Sequence, residues 1–324
     1  MADFEEAIEA TKFGTFNILI ILLGLPSGWV TIFETTDISF VNPVAHCDLN
    51  YGIDEGGFIF SVTYLGENLG MLTGSPVWGF FSDTFGRRKV IIFCYTMHAF
   101  VVSITGQSQT YIMLLVLKFI GGFIVNGPFS ILTTIFSEFH SAKYRARVML
   151  MIGVIAASAN IILPVVAWGI LLLQVNINIG DYHFHSWNIL LHLCAIPSIA
   201  CAIAYIFVPE SPKYLMASGR NDEALLVFKK MYRLNTGKPE NTYPVRDLVE
   251  EVLIGMDDED DANTQDMSKA KMAYRKMAKG FKQSSKLFFP PHLKCFLIIC
   301  VMQLGVMMGL NTFRLWIPEI FSTL

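Results

Sequence analysis

Four ionisable residues, Glu34, Asp37, Glu67 and Lys118, lie in stretches otherwise apolar enough to cross a bilayer. A charge at membrane depth costs about 2.5–3.5 kcal/mol on insertion scales, so it persists where it pairs, carries an ion or contacts a solute. Glu34 and Asp37 are three positions apart and share one face of a helix. At 1.5 Å per residue from Gly14, Glu34 falls roughly 30 Å along that helix, near its outer end unless the helix is long and tilted. The pair is therefore either a station for a cation or solute, or two solvated carboxylates at a helix exit. Lys118 opens the run Lys118-Phe119-Ile120-Gly121-Gly122, and it either faces the interior or snorkels to the outer surface. Glu67 is a partner for Lys118 or an interface residue; its position fits both. Asn160, Asn188 and His192 are polar candidates for lining a cavity, with a hydrogen-bonded packing histidine as the alternative for His192.

These side chains need long apolar elements to hold them. Of 324 residues, 53% are hydrophobic and only 16% charged, against about a quarter charged in soluble domains. A hydrocarbon core of about 30 Å takes about 20 apolar helical residues. Seven stretches qualify, roughly 14–36, 57–80, 89–106, 111–136, 147–173, 187–208 and 293–317. They divide the chain into a cytosolic N-terminal tail (1–13), a six-helix transmembrane bundle (14–212), a cytosolic linker (213–291) and a seventh helix with the chain end (292–324). The first span is preceded by Asp3, Glu5, Glu6 and Glu9 and lacks a small-residue cleavage site, so it reads as retained rather than as a signal peptide. The six cysteines have neither disulfide-framework nor metal-ligand spacing. No nucleophile constellation, metal cluster or nucleotide loop points to an enzyme, a cofactor or nucleic acid.

Orientation follows from Lys and Arg. Residues 35–56, 107–110 and 174–187 contain none, whereas Arg87, Arg88 and Lys89 crowd one turn and Lys143, Arg145 and Arg147 another. Between Lys213 and Lys294 lie 15 of the chain's 24. The N-terminus, the basic turns and the linker are therefore expected on the cytosolic side of a multi-pass membrane protein. A seven-helix receptor would need the opposite orientation. Six clustered spans, a long linker and a restart instead match the two-halved transporter layout.

Specific motifs sharpen this. Gly79-Phe80-Phe81-Ser82-Asp83-Thr84-Phe85-Gly86-Arg87-Arg88-Lys89 joins the second and third spans by a short basic corner. Glu138 precedes Arg145 at the end of the fourth span, and Val208-Pro209-Glu210-Ser211-Pro212-Lys213-Tyr214-Leu215 follows the sixth, with Gly219-Arg220-Asn221-Asp222-Glu223-Ala224 after it. The first run resembles the signature loop of the major facilitator superfamily, and together the three are similar to the cytosolic charge network of its sugar-porter and organic-ion branches. Phe4-Glu5-Glu6-Ala7-Ile8-Glu9, then Phe13-Gly14, Glu34 and Ser39-Phe40, are most similar to relatives of synaptic vesicle glycoprotein 2.

The resemblance implies an all-α integral membrane protein, the six-helix N-terminal half of the major facilitator fold plus one helix of the second half. It implies transport of a small organic solute by alternating access, with a proton or ion as coupling partner. Gly79, Asp83, Gly86, Arg87, Arg88, Glu138, Arg145 and Glu210 are expected to form an inner gate network, made or broken as helices rock; for Arg87, Arg88 and Lys89 the alternative is a topology anchor alone. Two departures matter: Thr31 stands where these relatives carry a second acid, and Lys213 where an Arg is usual, so the planar fork is lost there.

Gly66, Gly70 and Gly74 form two small-xxx-small steps expected to let a neighbouring helix approach. Asp222–Leu234 has amphipathic helical spacing, Asp257–Asp261 is an acidic run, and Lys269–Lys286 is a basic stretch suited to anionic lipid. A fold of this kind closes its cavity with six helices from each half. The chain is thus expected to be a fragment or short isoform that needs the missing half or a second chain. The alternative function is a non-transporting regulatory or interfering membrane protein.

Overall fold

The computed structural model describes residues 1–69, 75–173, 175–179 and 182–249, with scattered positions between 293 and 320. The chain divides into two compact units, Met1–Val252 and Leu253–Leu324. In the second, every described residue between 293 and 320 is helical, in keeping with a seventh span. The acidic run 257–261 and the basic stretch 269–286 lie outside the described residues.

The first unit contains α1 (Phe4–Ala10), α2 (Thr15–Leu49), α3 (Ile53–Leu69), α4 (Ser75–Phe85), α5 (Arg87–Thr105), α6 (Tyr111–Glu138), α7 (Ala142–Leu171), α8 (Ser186–Tyr205), α9 (Pro212–Ala217) and α10 (Asn221–Thr236). Local chemistry sets their ends. Asp3 and Glu6 form a reciprocal capping box on α1. Ser211 caps α9, whose first residue is Pro212. Gly86, at φ +99°, separates α4 from α5 in a conformation other residues rarely adopt.

Among the described residues, five helices (α2, α5, α6, α7 and α8) are long and apolar enough to cross a membrane. The expected span 57–80 falls on α3, on α4 and on residues 70–74, which are not described. The first helix departs most from expectation: it runs to Leu49, not to about residue 36. Ile38, Val41 and Ala45 continue its buried face, and the charges at Glu34 and Asp37 hide that continuity in a hydropathy reading. Pro43 lies within the helix, which stops only at left-handed Asn50.

Helix α2 packs on α6, α7 and α8; α5 packs on α6 and α8; α3 packs on α6. Helix α7 turns a stripe of Leu150, Val154, Ile161, Val165 and Trp168 outward, with Trp168 69% exposed, the pattern of a lipid-facing helix. One departure from an all-helical chain is a hairpin of β1 (Asn176–Ile179) and β2 (Tyr182–His185), paired antiparallel. Gln109 holds it by accepting from His183 N and donating to His183 O, both at 2.9 Å.

The basic end is stapled. Helix α10 carries the amphipathic pattern expected for it, burying Ala224, Phe228 and Met231 among α9, α2 and α1. Asn235 at its end accepts from Phe16 N (2.9 Å) and donates to Lys12 O (2.8 Å) and Asn17 Oδ1 (2.9 Å). Asn17 in turn donates to Phe139 O at 2.8 Å, and Tyr243 Oη donates to Ala7 O at 2.6 Å. Two amides, Asn235 and Asn17, thus join the start of α2 and the turn after α6 to the segment beyond α8. Asn235→Ala should destabilise the chain by about 1–3 kcal/mol, since partly buried partners lose their bonds. A thermal melt in detergent should fall by about 2–4 °C per kcal/mol; an unchanged melt would refute the staple.

Candidate functional site: a buried charge cluster and an inner ion-pair network

Three of the sequence-flagged ionisable residues meet. Lys118 Nζ on α6 lies 2.6 and 2.7 Å from the two carboxylate oxygens of Asp37 and 3.3 Å from both Oε1 and the carbonyl of Glu34 on α2. All three side chains are buried, so neither the solvated-carboxylate nor the snorkelling alternative describes them. With both carboxylates ionised against one ammonium, the trio carries one negative charge in excess. His98 of α5 supplies the fourth member, with Nε2 3.4 Å from Glu34 Oε2 and Nδ1 2.9 Å from Ser198 Oγ of α8. Glu34 Oε2 and His98 Nε2 are buried and face each other without a hydrogen bond. A proton on His98 Nε2, with Nδ1 accepting from Ser198 Oγ, would point at that carboxylate oxygen.

Small residues make the approach possible. A Cβ on Gly121 would run into the Glu34 carboxylate, and one on Gly66 into the backbone of Phe119, next to Lys118. Gly66 therefore does what the spacing predicts, between α3 and α6; Gly70 and Gly74 lie outside the described residues. Glu67 is in α3, and its side chain is likewise undescribed. On the same helix as Glu34, Trp29 and Phe33 stack with centroids 6.2 Å apart and line a 190 Å³ apolar cavity with Leu163 and Cys194.

The other candidates are not brought to this cluster. Asn160 is exposed and, among the described residues, bonds its own helix, to Ala156 O at 3.4 Å. Asn188 is buried and donates to Gly106 O at 3.0 Å. His192 Nδ1 is 2.8 Å from Asn188 O, the packing arrangement weighed for it above.

The basic-face residues form three separate contacts. Arg87 grips Glu138 bidentately (Nε–Oε2 3.0 Å, Nη2–Oε1 3.1 Å), meets Asp83 at 2.9 Å and lies over the Tyr214 ring. Glu138 is buried while Asp83 is exposed, so the α5–α6 fork carries most of the energy. Glu210 instead accepts from Arg88 N at 3.0 Å and Ser211 N at 3.1 Å, capping α5. Arg145 donates to Ser137 O at 3.0 Å and pairs with Glu5 of α1, not with Glu138. Lys213 sits over the Phe4 ring at 5.6 Å. His140, in the turn between α6 and α7, is pulled below its ordinary value by burial above all, with the Arg145 charge adding to it. Neutral, its Nδ1 donates to Phe136 O at 2.8 Å. Gly79 touches nothing a Cβ would meet.

His98, Glu5 and Asn235 were not among the sequence candidates. A histidine in mid-span was the signal available for the first. Among the described residues no group of His, Cys, Asp or Glu could hold a metal ion.

Residues 16–324 match the sugar (and other) transporter family. The chain belongs to that family. It is 29% identical over 250 residues to synaptic vesicle glycoprotein 2B of Rattus norvegicus, covering 75% of this chain and 36% of the relative. It is 29% identical over 260 residues to synaptic vesicle glycoprotein 2C of Mus musculus, covering 76% and 34%. The chain thus spans about a third of the length of these relatives. The fold resembles the partially occluded inward-open xylose transporter XylE from E. coli, with a TM-score of 0.64, 14% identity and coverage of 96% of this chain and 68% of that one. It also resembles XylE, a major facilitator superfamily proton:xylose symporter, bound to 6-bromo-6-deoxy-D-glucose (TM-score 0.55, 16% identity, 67% and 50% covered). The chain is therefore an integral membrane protein with the N-terminal half of the major facilitator fold.

In this family member, Lys118→Met leaves two buried carboxylates without their cation. Breaking a buried pair in this way costs about 3–5 kcal/mol. The melting temperature should drop, and Asp37→Asn added to Lys118→Met should recover part of the loss. A double variant that melts no higher than the single one would exclude the Lys118–Asp37 pair.

Proposed function

We propose that this chain is part of a membrane transporter that moves a small sugar-like or organic solute by alternating access, driven by a proton. The N-terminus and basic face are cytosolic. The observation that carries this reading is the facing pair Glu34 Oε2 and His98 Nε2, 3.4 Å apart and without hydrogen bonds, beside a cluster one positive charge short of neutrality. A proton arriving there balances the charge and makes the Glu34–His98 contact a charge-assisted one. Its departure frees Glu34 to lean further on Lys118. Proton and cluster arrangement are thereby linked, the requirement for coupled transport. The symporter XylE, similar in fold, supports the choice of proton.

In this proposal the Arg87–Glu138 fork is the inner latch. It ties α5 to α6 on the basic face, and it would have to part for helices there to separate. The solute would contact α2 near Trp29 and Phe33, where stacked rings offer an apolar platform. A C-terminal half or a second chain supplies the opposite wall of the path.

The test is uptake into proteoliposomes by the native product that contains these residues, against a panel of sugars and organic ions with an imposed proton gradient. His98→Gln is expected to abolish gradient-driven accumulation while solute exchange at equal concentrations continues. Accumulation by the variant equal to wild type would remove the proton role. No flux of any solute by wild type would favour the non-transporting alternative.

A further inference from the structure

A cavity of 660 Å³ opens on the basic face, between the end of α4, the start of α5, the segment after α8, and α10. Its walls carry Arg88, Lys89, Arg220 and Lys230 against two carboxylates, Glu210 and Glu223. Both carboxylates are already engaged. Glu210 accepts from the backbone N–H groups of Arg88 and Ser211. Glu223 takes the Arg220 fork at 2.7 and 2.5 Å. Among the described residues, Arg88, Lys89 and Lys230 have no carboxylate within ion-pair distance. Arg88 donates through Nη2 to Ile206 O, and its Nε is buried with no hydrogen-bond partner.

Among the described residues, three cations line one cavity without an ion-pair partner, in excess of its two carboxylates, and a guanidinium N–H is withheld from water. That combination fits a phosphate group, with its several acceptor oxygens. The rim decides which phosphate. Phe207 is 77% exposed and Leu226 61% exposed, both on the cavity wall. A free anion in water has no use for exposed apolar side chains, whereas acyl chains beside a headgroup do.

We propose that this cavity binds the phosphate headgroup of an anionic phospholipid. Arg88 Nε, Lys89 and Lys230 take the phosphate oxygens, and Phe207 and Leu226 lie against the acyl chains. The lipid would bridge the α4–α5 turn to α10, so its occupancy bears on the joint that Glu210 caps. The inference stands independently of solute transport, because it concerns only this face and a leaflet containing anionic lipid.

The experiment is native mass spectrometry of the 324-residue chain in detergent, titrated with phosphatidylinositol 4-phosphate or phosphatidylcholine. The inositol lipid should be retained and phosphatidylcholine should not. Lys89→Gln with Lys230→Gln should weaken retention by about tenfold or more. Lys143→Gln with Lys238→Gln removes the same charge away from the cavity and should bind as wild type does. Equal retention of both lipids, an unaffected cavity variant, or an equally weakened control variant would each overturn the proposal. Soluble inositol phosphate of the same headgroup should compete poorly; binding as tight as the lipid would assign the cavity to a free anion instead. Should the cavity variant fail to fold, wild type decides: retention must weaken with added salt, and salt-insensitive binding would sink the idea.

Discussion

A buried ammonium cannot exist alone at membrane depth, and the bundle is arranged around that constraint. Lys118 is among the largest fully buried side chains in the protein. Leaving it unpaired would cost several kcal/mol, so α6 must present it to an element carrying carboxylates. Helix α2 is that element: Glu34 and Asp37 fall where a helix of ordinary span length would be ending, and α2 continues past them to Leu49. Close approach follows from the same need. A side chain at Gly121 would occupy the space of the Glu34 carboxylate, and the two helices could not bring their charges within hydrogen-bond distance. Helices α5 and α8 then close the cluster by contributing His98 and Ser198, which shields the remaining Glu34 oxygen from lipid without giving it a hydrogen bond.

Much of this was legible in the sequence, because charge in an apolar run is a strong signal. Glu34, Asp37 and Lys118 stood out individually, and Gly66 stood out by spacing. Their meeting did not, since it depends on how far α2 continues. Hydropathy falls at Glu34 and Asp37, and Pro43 reads as a stop. Yet Ile38, Val41 and Ala45 keep the same face buried, and packing on α6 and α8 overrides the local signals. His98 escaped notice because a lone histidine in an apolar run is a weaker anomaly than a carboxylate or an ammonium. Asn235 lies one position past the amphipathic stretch Asp222–Leu234, where a polar residue is expected; only the fold shows that one amide gathers four backbone and side-chain partners.

The charge motifs show the opposite limit. Their residue types and order led to the right family, but pairing within them is a matter of position. Arg145 reaches Glu5 in the N-terminal helix, a residue more than a hundred positions away, because α1 folds back under the bundle. Glu210 serves backbone N–H groups at the start of α5, where the helix dipole and the orphan donors both favour a carboxylate. A motif records which chemistry is needed at an end of the bundle; it does not record which partner the packing will deliver.

The two ends are joined mechanically through α6, which carries Lys118 near one end and Glu138 at the other. They are twenty residues apart, roughly 30 Å of helix. Helix α5 runs alongside, with Arg87 bonded to Glu138 at its start and His98 eleven residues on, roughly 17 Å of helix, against Glu34 of α2. Helices α5 and α6 are tied directly at the basic end and through α2 at the other, and can tilt as one body while both ties hold. Breaking either tie lets them shift relative to each other. In the transporter reading, a proton at Glu34–His98 strengthens the upper tie between α2 and α5, and loss of the Arg87–Glu138 fork releases the lower one between α5 and α6. The Gly127-Pro128 step lies between the two levels of α6, where a proline has already removed one backbone hydrogen bond. The helix is thus most easily bent at the place where the states of its two ties would have to be reconciled.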